Sequence, residues 1–288
     1  MRHLLSILLI ALTLSAAAES VITFNLDPTK ENPRNSEGSF ATLKSGRIIF
    51  CYSQFYGGAA DESPARIVRI HSDDQGRTWS TPVTVVENTG GNNVMSVSLL
   101  RLASGKLAMF YCIKNSWLDC RPHMRVSTDD GETWTEPKLI QQAPGYFVLN
   151  NDRVIQTSKG RIIIPLAFHR SRGTDPDTSK SWDSRAIAMW IYSDDEGATW
   201  AESSSWWAMP VPSGSGLQEP GVVELADHLR KTRRVQGLEQ FDQLCVGHGS
   251  QVGGADIGGG HGRSPDCADH MQRQSAGRMS TVWVSDVR

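Results

Sequence analysis

The most regular feature of the sequence is a pair of short apolar runs separated by a polar turn. It occurs three times, at residues 40–50, 99–110 and 154–164, and each turn contains Ser-Gly or Lys-Gly. Short apolar runs on either side of a glycine turn are typical of β-hairpins. The pattern therefore predicts three hairpins, and the chain shows no long helical period.

Each hairpin is followed by a second repeated motif, Ser-x-Asp-x-Gly-x-Thr-Trp. Its copies occupy residues 72–79, 127–134 and 193–200 and begin 55 and 66 residues apart. The Asp, Ser and Thr side chains can form hydrogen bonds within a turn, and Gly permits a left-handed backbone. The Trp can pack beneath the turn. We interpret this motif, an Asp box, as structural and its aspartates as non-catalytic.

Further strand-like segments complete each repeat. Residues 65–71 and 123–127 lead into the first two boxes, and residues 82–86 follow the first Trp. Four strands in repeats of this length are typical of the blades of a β-propeller. A fourth copy begins at residues 219–227, so residues 19–227 are predicted to hold about three and a half blades of an all-β propeller.

The last 61 residues, 228–288, break this pattern. They contain ten glycines, only two aromatic residues and no Asp box. Two interpretations stay open: a flexible extension, or a reading frame that differs from the one in which the fold evolved. We favour the second, because the break falls inside a repeat rather than between two repeats.

The first 18 residues have a different composition. An apolar stretch at residues 4–14 precedes three consecutive alanines at 16–18. This arrangement is typical of a secretory signal peptide and predicts a secreted or periplasmic protein. No later stretch is long and apolar enough to predict a membrane span.

Charge and cysteine content narrow the function classes. The formal net charge of −2 gives no support for a nucleic-acid partner. Of the five cysteines, Cys51 and Cys112 lie in apolar runs and are predicted to be buried thiols. No cysteine pair has zinc-site spacing, so neither a metal nor a cofactor is predicted. Trp206 and Trp207 are expected to pack within a blade, although they could also stack on a sugar.

The Asp boxes, the strand order and the linking segments resemble the sialidase superfamily over about residues 25–227. The resemblance implies a six-bladed β-propeller, incomplete in this chain. It also implies exo-hydrolysis of terminal sialic acid, or of a related acidic sugar, with acidic glycans as partners. Because a guanidinium binds a carboxylate through two parallel hydrogen bonds, such enzymes use Arg for the sugar carboxylate.

The resemblance also implies roles for individual residues. Arg34 matches the carboxylate-binding Arg, although the usual Ile-Pro after it is absent, and Asp61 matches the acid/base Asp. Glu219 matches the acidic partner of the nucleophilic Tyr. The other substrate-binding candidates are Asn93, Arg121, Asp152, Arg153 and His169. Structural alternatives stay open: Arg34 as a surface charge, Asp61 as a turn cap and Glu219 as an exposed strand residue.

The nucleophile is missing from the matched pattern. Sialidases are an exception among glycosidases in using a Tyr nucleophile. All five tyrosines of this chain, Tyr52, Tyr56, Tyr111, Tyr146 and Tyr192, precede Glu219. We expect little or no sialidase activity from this sequence. Three function classes remain: a sialidase-like glycosidase, a non-catalytic sugar-binding propeller and a non-functional fragment.

Overall fold

The computed structural model of the protein describes residues 24–209 and 213–224, together with the backbone of residues 244–249 and 279–284. These residues form β-strands and one short 3₁₀ turn, Ser179–Ser181, with no α-helix among them. No helix within the described ranges is long and apolar enough to cross a membrane. The predicted signal peptide, residues 1–18, and most of the predicted tail lie outside the described residues.

The strands form four consecutive units, here called blades 1 to 4. Blade 1 consists of β1 (Arg34–Thr42), β2 (Ile48–Phe55), β3 (Ala65–Ser72) and β4 (Val83–Val86). Blade 2 consists of β5 (Asn93–Arg101), β6 (Leu107–Lys114), β7 (Cys120–Ser127) and β8 (Lys138–Leu139). The strand predictions for residues 65–71, 82–86 and 123–127 are confirmed.

Blade 3 is linked to blade 2 by the short strand β9 (Tyr146–Val148), which pairs with both. It consists of β10 (Ile155–Gln156), β11 (Ile162–His169), β12 (Ile187–Ser193) and β13 (Ala201–Trp207). Blade 4 begins with β14 (Pro220–Glu224), which pairs with β15 (Leu244–Gly249), and β15 pairs in turn with β16 (Met279–Val284). Two stretches of the predicted tail therefore contribute backbone to a sheet.

The core lies between the blades, because the middle strands bury both of their faces. Ile49 and Cys51 of β2 pack in one cluster with Met109 and Tyr111 of β6. The alternate residues of β6, such as Phe110, pack in a second cluster with side chains of β11 and β12. Cys51, Cys112 and Cys120 are free thiols buried in this core, as predicted for the first two.

The three Asp boxes form the predicted turn. In the second box, Ser127 Oγ donates to Asp129 Oδ1 at 2.7 Å and accepts from Gly131 N at 2.7 Å. Asp129 in turn accepts from Thr133 N at 2.9 Å and Thr133 Oγ1 at 2.5 Å. The same four bonds measure 2.6 to 2.8 Å in the other two boxes. The structural interpretation of the motif is confirmed.

The boxes also lock neighbouring blades together. Asp130, directly after the second box Asp, accepts the backbone N–H of Lys44 in the blade 1 hairpin at 2.9 Å. Glu196, at the same position of the third box, accepts the N–H of Ser104 in the blade 2 hairpin at 2.8 Å. Both residues have a positive φ, which turns their carboxylates towards the preceding blade. The motif therefore fixes packing between blades as well as the turn itself.

The expected packing of Trp206 and Trp207 is wrong. Both lie on β13, the last strand of blade 3, and they are 62% and 42% exposed. An outer strand has sheet neighbours on one edge only, so its side chains face solvent more often than those of the middle strands.

The Ser127 hydroxyl in the second box makes two hydrogen bonds, so its removal should change the free energy of unfolding by a measurable amount. We expect Ser127→Ala to lower the free energy of unfolding by about 1–3 kcal/mol, because the buried Gly131 N–H loses its acceptor. Urea denaturation measures this change. The control is Ser204→Ala on β13, whose exposed side chain makes no hydrogen bond within the described residues, and it should stay within about 0.5 kcal/mol of wild type. A loss equal to the control would contradict the assigned bond network.

The carboxyl groups of the box aspartates make the free energy of unfolding depend on pH. Hydrogen bonds from the box threonines lower the pKa of Asp74, Asp129 and Asp195 to about 2. A carboxyl whose pKa falls on folding stabilises the fold above its unfolded pKa and loses that contribution as pH falls through the folded pKa. Stability should therefore decline between about pH 4 and about pH 2.

Chemical denaturation at a series of pH values tests this decline. Asp129→Asn removes one of the three box carboxyls, so its stability should fall less steeply over the same pH range than that of wild type. An equal slope in wild type and variant would show that the box carboxylates do not set the acid response.

Candidate functional site

Strained backbone marks the same region in all four blades. A non-glycine residue with a positive φ lies in or just before the first strand of each blade: Glu37 (56°), Ser96 (65°), Asp152 (55°) and Glu219 (54°). Glu37 and Ser96 fall at bulges in β1 and β5. Each such conformation costs about 1–2 kcal/mol. Backbone strain and bulges of this kind cluster at functional sites.

Hydrogen bonds join three of these four positions across the blades. Ser96 Oγ donates to Glu37 Oε2 at 2.7 Å, which joins blades 1 and 2. The buried Ser39 Oγ donates to Asp152 Oδ1 at 2.8 Å, which joins blades 1 and 3. The charge of Glu219, from blade 4, acts on the carboxyl of Glu37. The starts of blades 1, 2 and 3 therefore meet around one candidate site, and Glu219 at the start of blade 4 lies within electrostatic range of it.

Arg34 lies at the centre of this site. Its Nη1 donates to Asp61 Oδ1 at 2.5 Å, and its Nη2 donates to Glu37 Oε1 at 2.8 Å. The guanidinium also donates through Nε to Ser36 Oγ at 2.9 Å. The structure thus places Arg34 beside Asp61. It also shows that two protein carboxylates already occupy the guanidinium predicted to bind the sugar carboxylate.

Glu37 is a site residue that the sequence analysis missed. Burial raises the pKa of its carboxyl, and the charges of Asp61 and Glu219 add to this effect. The hydrogen bond from Ser96 and the charge of Arg34 oppose it. A sequence signal existed, because a Glu stands at the start of both the first and the fourth repeats: Glu37 lies in β1 and Glu219 directly before β14.

The Asp61 loop is fixed through its backbone. Asn93 Nδ2 donates to the carbonyl oxygens of Asp61 at 2.8 Å and Ser63 at 2.9 Å. Lys114 Nζ donates to the same Asp61 carbonyl at 3.1 Å. The Asp61 carboxylate remains 64% exposed, so the loop presents it to solvent from an anchored main chain.

Asn93 does not have the position expected of a substrate-binding residue. Its side chain is fully buried, and its amide nitrogen is used by the Asp61 loop. It acts on the site only by holding that loop. Lys114, which the sequence analysis did not single out, shares this task and is equally buried.

The Lys114 ammonium is enclosed by aromatic rings. It lies 4.7 Å from the centre of the Trp117 ring and 5.5 Å from that of Tyr146. Such contacts stabilise a cation that has lost most of its water. Burial, followed by nearby negative groups, raises the pKa of Tyr146 far above its usual range. Tyr146 is therefore a poor nucleophile despite its proximity to the site.

His169 is also placed differently from the expectation. It is buried, its Nδ1 lies 2.9 Å from the carbonyl oxygen of Asp183, and its ring stacks on Trp182 at 4.5 Å. Burial lowers its pKa to about 4, so the ring is neutral at neutral pH. A buried neutral ring packed in this way stabilises the loop after β11 and does not contact a sugar.

The two remaining arginine candidates differ in position. Arg121 pairs with Asp119 at 2.8 Å, and no hydrogen bond or ion pair within the described ranges joins it to Arg34 or Asp61. Arg153 directly follows the site residue Asp152, and its backbone N–H donates to Ser98 Oγ at 3.1 Å. No contact in the described residues joins the side chain of either arginine to Arg34, Glu37 or Asp61, so both remain candidates.

The chemistry available at the site is that of carboxylates and one guanidinium. Asp61, Glu37, Asp152 and Glu219 can exchange protons or accept sugar hydroxyls, and Arg34 can bind an anion. Across residues 24–209 and 213–224, no group of three His, Cys, Asp or Glu side chains is placed to hold a metal ion.

Comparison with known proteins agrees with this architecture. Residues 50–236 match the family described as BNR repeat-like domain, whereas no curated protein matches the chain. Among solved structures, a Hadza microbial sialidase is similar with a TM-score of 0.59 and 15% identity, over 89% of this chain and 45% of that one. The intramolecular trans-sialidase from Ruminococcus gnavus has a TM-score of 0.53 and 14% identity, over 79% of this chain and 68% of that one.

A Dyadobacter fermentans protein of unknown function is also similar, with a TM-score of 0.55 and 16% identity. The alignment covers 77% of this chain and 63% of that protein, so the chain spans less than two thirds of the length of that protein and of the Hadza sialidase. At such low identity these likenesses show a shared fold, while the family match covers most of the chain. The protein belongs to the BNR repeat-like domain family and has the fold of the sialidases.

Proposed function

We propose that the protein has the site of a sialidase-like exo-acting glycosidase, which recognises a terminal acidic sugar, sialic acid or a related uronic acid, and that this sequence turns the sugar over weakly or not at all. The observation that carries this proposal is the direct contact between Arg34 and Asp61, with Glu37 bound to the same guanidinium. Arg34 contacts Asp61 directly, and the charges of Asp61 and Glu219 both act on Glu37 beside it. The R. gnavus relative was solved with oseltamivir carboxylate, a ligand that also carries a carboxylate.

The proposal also covers the architecture of the whole propeller and the cellular location of the protein. The blades described belong, in this proposal, to a six-bladed sialidase-type ring, and residues 1–18 direct the chain to the periplasm or out of the cell. The repeated contacts between a box and the preceding hairpin support a closed ring, because each blade offers one face to each neighbour.

The proposed chemistry assigns separate tasks to the carboxylates. Asp61 is exposed on an anchored loop, so it can protonate a leaving oxygen and later take a proton from water. Glu219 would accept the proton of a nucleophilic Tyr. All five tyrosines precede Glu219 in the sequence, and the nearby Tyr146 has a raised pKa. This favours a second candidate function, a sugar-binding propeller without catalysis.

Binding of free sialic acid to the purified chain tests the proposal. We expect Arg34→Ala to weaken binding by about tenfold or more, since charge-assisted hydrogen bonds to the sugar carboxylate are lost. Arg47→Ala is the matched control, because Arg47 pairs with Asp73 at 2.7 Å in the outer hairpin of blade 1. Calorimetry measures both. Loss of binding in the control as well, or no binding of any acidic sugar by wild type, would contradict the proposal.

A hydrolysis assay distinguishes the glycosidase from the non-catalytic sugar-binding propeller. We expect the chain to bind sialic acid while cleaving a fluorogenic sialoside at close to the background rate, with Asp61→Ala unchanged. Fast cleavage that Asp61→Ala abolishes would establish the glycosidase and refute the non-catalytic alternative. Rapid aggregation of the pure chain without sugar binding would instead indicate a non-functional fragment.

A further inference from the structure

The guanidinium of Arg34 has few donors left for a ligand. Of its five N–H groups, one donates to Ser36, one to Glu37, one to Asp61 at 2.5 Å and one to the carbonyl of Ala59 at 3.3 Å. A sugar carboxylate that binds through two parallel hydrogen bonds needs two donors. One of the protein acceptors must therefore leave before such a ligand can bind.

The two protein carboxylates are not equally easy to displace. The Asp61 side chain is 64% exposed, whereas that of Glu37 is 22% exposed and also accepts from Ser96. An ion pair with an exposed partner contributes only about 0–1 kcal/mol. Breaking a more buried pair leaves an uncompensated charge and costs more. Asp61 is therefore the acceptor that a ligand removes.

Release of the Asp61 carboxylate does not require the loop to move. Asn93 and Lys114 hold the Asp61 carbonyl oxygen, so the main chain stays in place while the side chain rotates. The replacement also leaves the charge beside Arg34 unchanged, because one carboxylate takes the place of another.

We propose that Asp61 is an internal competitor that occupies Arg34 in the free protein and that only a sugar carboxylate displaces. A neutral sugar leaves the Arg34–Asp61 pair intact, so Asp61 is a specificity determinant as well as the candidate acid/base. Binding of an acidic sugar frees its carboxylate for the leaving oxygen. This inference rests on the proposed function. It adds that binding of the sugar carboxylate to Arg34 is coupled to release of the Asp61 carboxylate.

Asp61→Asn tests the exchange, because the amide keeps the shape of the side chain but competes poorly for a guanidinium. Free sialic acid should bind this variant about two- to fivefold more tightly than wild type. Its methyl ester, which lacks the charge, should bind both equally. The matched control is Asp73→Asn, since Asp73 pairs with Arg47 and is 62% exposed. Asp61→Ser serves as a second variant should Asn perturb the loop.

Weaker or unchanged binding of sialic acid by both Asp61 variants overturns the exchange. A second readout needs no sugar: modification of Arg34 by phenylglyoxal, measured by peptide mass spectrometry, should be faster in Asp61→Asn than in wild type. An equal rate overturns the exchange while leaving the proposed function intact, provided that wild type binds sialic acid. If neither wild type nor variant binds any acidic sugar, the proposed function and the exchange both fail.

Discussion

Each blade has two apolar faces, and it can bury both only by lying between two other blades. The middle strand β6 shows this most directly, because alternate residues pack towards blade 1 and towards blade 3. The Asp boxes connect the blades in one order along the chain, because each contact runs from a box to the hairpin of the preceding blade. Asp130 and Glu196 each accept a hydrogen bond from the hairpin of the preceding blade, so blades 2 and 3 are each fixed to the blade before them. Burial of both faces therefore dictates how the first strands are placed, and the site is a consequence of that placement.

The candidate site carries strain that the contacts between blades offset. Four non-glycine residues hold a left-handed backbone there, at about 1–2 kcal/mol each. Hydrogen bonds across the blades oppose this cost, each contributing about 0.5–1.5 kcal/mol. Ser39 makes two of them, since it accepts from Leu99 N at 3.0 Å and donates to Asp152 at 2.8 Å. Site geometry and blade packing thus depend on the same buried side chains.

The features that could be predicted from the sequence are those with local chemistry. The hydrogen bonds that form the turn of the Asp box lie within eight residues, and the hairpins are marked by their turn glycines, so both were predicted. The proximity of Arg34 and Asp61 followed from the family resemblance. The roles of Asn93 and His169 were not predictable, because they depend on which side chains the bulged strands and the loop after β11 turn inwards. Glu37 was missed for the same reason, since the bulge between Ser36 and Ser39 decides where its carboxyl points.

The balance of charge explains why the Asp61 loop needs a buried cation. Glu37 and Asp61 place two carboxyls on one guanidinium, and the raised pKa of Glu37 reflects its burial first and then the charges of Asp61 and Glu219. Lys114 adds a second positive charge beneath the loop, where the Asp61 carbonyl and two aromatic rings replace its water. An isolated buried ammonium would be costly, so its retention requires those partners. Because Lys114 contacts the main chain and not the carboxylate, it fixes the position of Asp61 without occupying the group that a ligand must release.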